Sequence, residues 1–292
     1  MTRRRVSRAP ALPIEAVTTD LWYTLCYLSP ADRRSIGVAR HRAWADPLER
    51  ARFSRPRALG HVRALEHWNL AQERLGRAPP IHRQAAWLAE RTGVPIAPAE
   101  AADRLDASLR AVSVRPAPRV RWALDELRAA GVRLGLVSNL INETSASAER
   151  ILEQLGLGEY YASRQFSSDL PWSKPDPRPF RRCLQELGVA PAASVHVGDL
   201  ALDRRGARRA GMRAICYTGL HRQEFGGAPP PSERPGAATP AASSWDQVIR
   251  LLRRSTLGPT PNEAPAGRPN SRSVPSARKG LVAGSGRASL VP

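Results

Sequence analysis

The sequence predicts an α/β fold in which a parallel sheet is covered by helices on both faces. Short apolar segments alternate with stretches of helical spacing in the second half of the chain, and this alternation is typical of such a sheet. A second observation is the long gap between the first apolar segment and the next, which is filled by about ninety residues of different composition. This gap predicts an insertion directly after the first strand.

The five predicted strands are short apolar runs bounded by turn or helix signals. They cover residues 14–21, 132–139, 159–166, 194–200 and 213–220. The predicted helices of the sheet region cover residues 119–131, 143–158, 176–189 and 202–212. A last helix is expected over 243–254, where Ser244 has the residue type and position of an N-cap.

The inserted residues 26–118 are rich in Ala, Arg, Leu and Trp. Three stretches in them have helical spacing, which predicts an all-helical accessory domain whose ends return to the same edge of the sheet. The remaining segments, 14–25 and 119–255, would then form the core. Within the core, residues 221–244 are dense in Pro, Gly, Ala and Ser, which favours an irregular linker.

Charge is spread unevenly along the chain, whose net charge is +19. The basic N-terminus, 1–13, and residues 256–292 together hold 8 of these charges, and both are predicted to be disordered because no apolar periodicity supports a core there. Arginine outnumbers lysine 43 to 2 without interleaved aromatic residues, so we expect no specific nucleic-acid partner.

No apolar run is long enough to cross a bilayer, and none follows the basic N-terminus as a signal peptide would require. We therefore expect a cytoplasmic protein without a membrane partner. The three cysteines, Cys26, Cys183 and Cys216, have no metal-ligand or disulfide spacing and are expected to be reduced and mostly buried.

Polar side chains follow the ends of the first four predicted strands, where reactive groups of a parallel sheet gather. They are Asp20 and Thr24 after the first strand, Ser138 and Asn139 at the end of the second, Lys174 after the third, and Asp199 and Asp203 after the fourth. A nucleophile, a hydroxyl, a cation and paired carboxylates would thus meet at one edge of the sheet.

This combination is suited to phosphoryl transfer. A carboxylate such as Asp20 can attack phosphorus and form an aspartyl phosphate, provided that positive charge compensates the approach of two anions. Mg²⁺ supplies such charge and prefers hard oxygen ligands like those of Asp199 and Asp203. The ammonium of Lys174 would neutralise the remaining charge, and the Ser138 hydroxyl with the Asn139 amide would hold a phosphoryl oxygen.

The order Asp-x-x-x-Thr-Leu, apolar-Ser-Asn, Ser-Lys-Pro-Asp and Gly-Asp-x-x-x-Asp resembles the four motifs of the haloacid dehalogenase-like hydrolase superfamily. The resemblance covers residues 14–220. It implies a Rossmann-like, doubly wound sheet with a helical cap inserted after the first strand.

The resemblance also implies roles for single residues. Asp20 would be the nucleophile and a magnesium ligand, Lys174 the charge stabiliser, and Asp199 and Asp203 the magnesium acids. Ser138, with Asn139 and Thr24, would contact the phosphorylated substrate. The main-chain carbonyl of Trp22, two residues after the nucleophile, would be a further metal ligand.

Trp22 departs from the phosphatase pattern, which has a second Asp at this position as the proton donor and general base. Indole has one N–H donor and no acid chemistry near neutral pH. The sequence therefore predicts a magnesium-dependent phosphatase of small phosphorylated metabolites with a good leaving group, or one whose acid comes from the cap or the substrate. Tyr23 stands where the superfamily has Gly, so the turn is expected to differ locally.

Two alternatives stay open. The dehalogenase branch carries an aromatic residue at the position of Trp22, but its members work without metal and lack the Gly-Asp pair that is present here as Gly198 and Asp199. A phosphonatase is excluded because residues 26–118 contain no Lys for the Schiff base. The second alternative is a non-catalytic relative that binds a phosphorylated ligand or protein.

Overall fold

The computed structural model describes residues 14–236 and 239–254. The predicted disordered segments 1–13 and 256–292 lie outside the described residues. Among the helices that are described, none is long and apolar enough to span a membrane.

A six-stranded, entirely parallel sheet forms the centre of the molecule, in the order β5-β4-β1-β6-β7-β8. A separate antiparallel ribbon is formed by β2 and β3. The strands are β1 (Ala16–Thr19), β2 (Cys26–Leu28), β3 (Val114–Pro116), β4 (Arg133–Ser138), β5 (Ser163–Phe166), β6 (Ser194–Gly198), β7 (Arg213–Tyr217) and β8 (Ala241–Ala242).

The helices are α1 (Pro30–Arg50), α2 (Arg55–Arg74), α3 (Ile81–Thr92), α4 (Pro98–Arg110), α5 (Val120–Ala129), α6 (Ser145–Gln154), α7 (Arg178–Leu187), α8 (Ala201–Ala210), α9 (His221–Phe225) and α10 (Trp245–Arg253). Helices α5, α6 and α10 cover one face of the sheet, and α7 and α8 cover the other. The predicted doubly wound α/β fold is confirmed.

The two faces can be followed along β4. Leu134 and Leu136 belong to the larger core with α5 and α6, whereas Val137 packs with α7 on the opposite face. Gly135 also faces α7, where a Cβ would lie 2.3 Å from the Cys183 sulfur. The absence of a side chain at Gly135 therefore lets α7 lie close to the sheet.

Four helices, α1 to α4, make up the insertion, which has its own apolar core around Trp44, Leu65, Leu88 and Leu105. The sequence predicted three helices and an all-helical segment. The structure adds α1, whose buried face is small and partly made of alanine, and places the β2–β3 ribbon at the base. That this insertion is a separate cap domain stays a prediction.

The stretch 221–244, predicted as an irregular linker, contains the short helix α9 and strand β8, which extends the sheet beside β7. The predicted N-cap of the last helix is confirmed, because the Ser244 hydroxyl accepts a hydrogen bond from the amide of Gln247 at 3.3 Å. The Trp245 indole, fully buried, donates to the Thr24 carbonyl at 3.2 Å. Helix α10 is thereby tied to the loop that follows β1. All three cysteines are buried and free, as the sequence predicts.

Candidate active site

The carboxyl ends of three neighbouring strands bring the predicted residues together. Strand β1 lies between β4 and β6, in register with both. Asp20 therefore follows β1 next to Ser138, the last residue of β4, and Asp199, the first residue after β6. All three side chains are buried.

Lys174 lies between two carboxylates of this group. Its ammonium donates to Asp20 Oδ1 at 2.5 Å and to Asp203 Oδ1 at 2.6 Å. Burial acts against the charged ammonium, but these two carboxylates raise the pKa of Lys174 above its ordinary value. Lys174 is the one lysine in the part of the chain that the structure describes. It therefore provides a fixed positive charge where Asp20 would meet an anionic substrate.

Asp203, in the first turn of α8, has two structural partners besides Lys174. Its Oδ2 accepts from the Leu200 amide at 3.0 Å, which caps the helix, and its Oδ1 lies 3.2 Å from His196 Nε2. The other His196 ring nitrogen lies 2.8 Å from the Thr18 hydroxyl. Asp203 thus starts the helix and also belongs to the candidate site.

Gly198 makes this position of Asp203 possible. A Cβ built at residue 198 would lie 2.4 Å from Asp203 Cγ, closer than real Cβ atoms approach another atom. A side chain at 198 would therefore displace the carboxylate. The glycine of the Gly198-Asp199 pair is therefore needed on steric grounds, because it leaves room for the Asp203 carboxylate.

Three carboxylates form a group that fits a divalent cation. Ligand oxygens of Asp20, Asp199 and Asp203 lie within 4.8 Å of one another. Hard carboxylate oxygens at such spacing are what Mg²⁺ prefers, and Lys174 supplies only one positive charge against the three. The donor set and its excess of negative charge therefore fit the predicted metal, for which these three side chains would be the ligands.

The acids also differ in their proton affinities. Burial raises the pKa of Asp20 and, together with the neighbouring Glu224 and Asp20, raises the pKa of Asp199 well above its ordinary value. Burial acts to raise the pKa of Asp203 too, but Lys174 and His196 hold it below its usual range. Asp199 is therefore the carboxylate that gains most from a nearby cation.

The predicted substrate contacts are only partly available. The Ser138 hydroxyl is buried and has no hydrogen-bond partner in the described part of the chain, so it can receive a phosphoryl oxygen. The Thr24 hydroxyl instead donates to Asp199 Oδ1 at 3.2 Å and orients that acid. The Asn139 side chain binds the main chain of Lys174, accepting from its amide at 2.8 Å and donating to its carbonyl at 3.1 Å.

Trp22 is tied to a buried glutamate that the sequence did not single out. Its indole N–H donates to Glu143 Oε2 at 2.9 Å, and Glu143 Oε1 accepts from Arg40 of α1 at 3.2 Å. Tyr23, next in the chain, has a φ of 53°, in the left-handed region that glycine adopts without strain. The turn was expected to differ because Tyr23 stands where the superfamily has Gly. In the structure the tyrosine adopts the backbone conformation that a glycine would have there.

A cavity of about 590 Å³ opens above these residues, between the sheet edge and the insertion. The insertion contributes Arg33, Ile36, Arg40, Glu66, Asn69 and Glu73 among others to its walls, and α9 contributes Glu224. No sequence signal marked Glu73 or Glu143, which look like ordinary solvent-facing glutamates. Glu224 was hidden within the predicted linker.

Comparison with known proteins finds one family to which part of the chain is similar. Residues 81–217 match the family model described as haloacid dehalogenase-like hydrolase. A solved HAD phosphatase of Thermococcus onnurineus superposes with a TM-score of 0.56 at 18% identity, covering 82% of this chain and 98% of that one. Over residues 81–217 the chain is therefore similar to the haloacid dehalogenase-like (HAD) hydrolases.

Two further HAD relatives differ in activity. A 2-haloacid dehalogenase of Pseudomonas syringae pv. Tomato DC3000 is 27% identical, with a TM-score of 0.54 over 82% of this chain and 99% of that one. A phosphoglycolate phosphatase of Neisseria meningitidis is 33% identical over 107 residues, which are 37% of this chain and 44% of the relative. The match therefore spans less than half of that curated phosphatase. Trp22 lies outside the segment matched by the HAD family model.

Proposed function

We propose that this chain is a magnesium-dependent phosphatase that acts through an aspartyl phosphate on a small phosphorylated metabolite. The observation that carries the proposal is the buried group in which Asp20 contacts Lys174 and lies within 4.8 Å of Asp199 and Asp203. The phosphatase names of partially matching curated relatives support the same reaction.

Each residue has a task in this reaction. Asp20 Oδ would attack phosphorus, forming the Asp20–phosphorus bond as the bond to the leaving oxygen breaks. The Lys174 ammonium, already 2.5 Å from Asp20, would neutralise the phosphoryl charge that arrives there. The unpartnered Ser138 hydroxyl would donate to a phosphoryl oxygen. Water would then release inorganic phosphate and restore the carboxylate.

Mg²⁺, bound by the carboxylates of Asp20, Asp199 and Asp203, would reduce the repulsion between nucleophile and substrate. The main-chain carbonyl of Trp22 is proposed as a further ligand, since residue 22 lies two positions after the nucleophile in the loop that follows β1.

The leaving group is the open part of the chemistry, because the indole of Trp22 cannot protonate it. Without another donor, loss of general acid catalysis costs about 100- to 10,000-fold for a poor leaving group and much less for an acyl, enol or aryl phosphate. The site by itself therefore favours a substrate with a leaving group of low pKa.

A phosphatase screen with and without magnesium tests the proposal. Aryl, acyl and sugar phosphates are offered to the wild type, to Asp20→Asn and to Asp103→Asn, which changes an exposed aspartate of α4 as a matched control. We expect magnesium-dependent phosphate release by the wild type and the control only. Activity that persists in Asp20→Asn would exclude this nucleophile.

Dehalogenation is a second candidate, favoured by the 27% identity to a 2-haloacid dehalogenase over most of the chain. There the same carboxylate would attack carbon and displace halide, which needs no proton from residue 22. Halide release from a 2-haloacid by the wild type, without phosphate release in the screen, would support this activity. Binding of inorganic phosphate without either reaction would support a non-catalytic phospho-ligand binder.

A further inference from the structure

The proposed phosphatase reaction leaves one task without a residue, which is protonation of the leaving oxygen. In an in-line displacement the leaving oxygen departs on the side opposite the attacking atom. Asp20 lies at the sheet edge, so the leaving oxygen would face the cavity wall that the helical insertion provides. A proton donor that replaces residue 22 is therefore to be sought in that wall.

Two of the four glutamates in the cavity wall are already engaged, and a third adjoins the proposed metal ligands. Glu66 pairs with His41 at 2.7 Å, outside the strand-end group. Both oxygens of Glu143 accept hydrogen bonds, from Trp22 and from Arg40, and a carboxylate that accepts on both oxygens has no proton to give. Glu224 adjoins Asp199, a proposed magnesium ligand, and is therefore assigned to the metal group.

Glu73, at the end of α2, is the fourth, and it is held directly above the strand ends. Its Oε1 accepts from Asn139 Nδ2 at 2.9 Å, and Asn139 is itself bonded twice to the main chain of Lys174. Within the described part of the chain no donor reaches Glu73 Oε2. One oxygen is thus fixed by Asn139 while the other is free for a ligand in the cavity.

The turn after α2 fixes the position of Glu73 relative to the core. The Gly76 carbonyl accepts from the Ser173 amide at 2.9 Å, and the Ser173 hydroxyl accepts from the Ala78 amide at 2.7 Å. A Cβ at Gly76 would lie 3.1 Å from the Ser173 carbonyl oxygen, so this approach is close. The end of α2 is therefore docked on the residue that precedes Lys174.

The surroundings of Glu73 shift its pKa upwards. Burial raises its pKa above the ordinary value; Asn139 and Lys174 oppose the shift, whereas the carboxylates of Asp203 and Asp20 add to it. A raised pKa brings a carboxylic acid closer to the range in which it can donate a proton at neutral pH.

We propose that Glu73 is the general acid of this enzyme and takes over the task of the aspartate that Trp22 replaces. As Asp20 attacks and the phosphorus–oxygen bond breaks, the Glu73 carboxyl proton passes to the leaving oxygen, which departs as an alcohol. The Glu73 carboxylate then takes a proton from the water that attacks phosphorus. That step breaks the Asp20–phosphorus bond, releases phosphate and returns both side chains to their starting states.

The test compares two leaving groups on the full-length protein with magnesium. p-Nitrophenyl phosphate needs no protonation of its leaving group, whereas methyl phosphate does. Glu73→Gln retains an oxygen that can accept from Asn139 but has no proton to transfer. Glu90→Gln, an exposed glutamate of α3, is the matched control, and Asp20→Asn reports on the nucleophile.

We expect Glu73→Gln to lose about 100- to 10,000-fold in kcat on methyl phosphate and less than about threefold on p-nitrophenyl phosphate. Equal losses on both substrates would show a merely structural role and overturn the assignment. A wild type that hydrolyses only the aryl ester would overturn it as well, while leaving the proposed phosphatase function intact. Hydrolysis of neither ester by the wild type would overturn both.

Discussion

Removal of the Lys174 charge should destabilise the metal-free protein strongly. Its ammonium lies 2.5 and 2.6 Å from Asp20 and Asp203, and the three residues are only 3%, 6% and 1% exposed, so water cannot take over the charge. Removing one partner of such a buried ion pair costs about 3–5 kcal/mol. For a domain of this size that corresponds to a fall in Tm of roughly 6–20 °C.

Thermal unfolding of Lys174→Met in the presence of a chelator, at neutral pH, measures this loss. Arg182→Ala, which removes an exposed pair with Glu186 on α7, is the control and should leave Tm nearly unchanged. Magnesium should raise the Tm of Lys174→Met more than that of the wild type, because the cation replaces the missing charge. A fall of less than about 2 °C would contradict this account of the buried charges.

Three further outcomes are expected. Burial raises the pKa of Glu224 to about 7 from 4.5. The metal-free protein should therefore lose up to about 3 kcal/mol of unfolding free energy as the pH rises between these values. Urea unfolding at several pH values should show this loss in the wild type but not in Glu224→Gln. Gly198→Ala should displace Asp203 and weaken magnesium binding about 10- to 100-fold, measured by titration calorimetry. Trp22→Asp, combined with Glu143→Gln so that no buried carboxylate faces the new aspartate, should raise methyl phosphate turnover in the Glu73→Gln background. An unchanged rate there would contradict the missing-acid argument.

Much of the fold could be predicted because buried parallel strands are continuous apolar runs. The residues that end them, such as Asp20 and Asp199, could therefore be placed at one sheet edge from the sequence alone. Helix α1 was missed because its buried face relies on alanine and only a few large apolar residues. Helix α9 was missed because it is five residues long and lies within a stretch rich in Pro and Gly.

The side chains that the insertion adds to the site could not be predicted in this way. Glu73 is near the last turn of a surface helix, where glutamate is common for helix propensity alone. Its place above Asp20 depends on how α2 packs against the loop around Ser173, and no local spacing encodes such a contact. For Thr24 the sequence predicts a place in the site but not its contact. Its hydroxyl donates to Asp199, and this hydrogen bond depends on the conformation of the loop after β1.

The contacts of Trp22 explain why an aspartate would fit poorly at this position. Glu143, buried beside it, accepts from the indole on one oxygen and from Arg40 on the other. An aspartate at residue 22 would place a second carboxylate next to Glu143 and remove one of its donors, and like charges in a buried site disfavour each other's ionisation. The hydrogen bonds of Glu143 to Trp22 and to Arg40 therefore depend on one another, and together they link the loop after β1 to α1. For the proposed phosphatase reaction, a proton donor is then better supplied by Glu73, which Asn139 holds in the cavity wall.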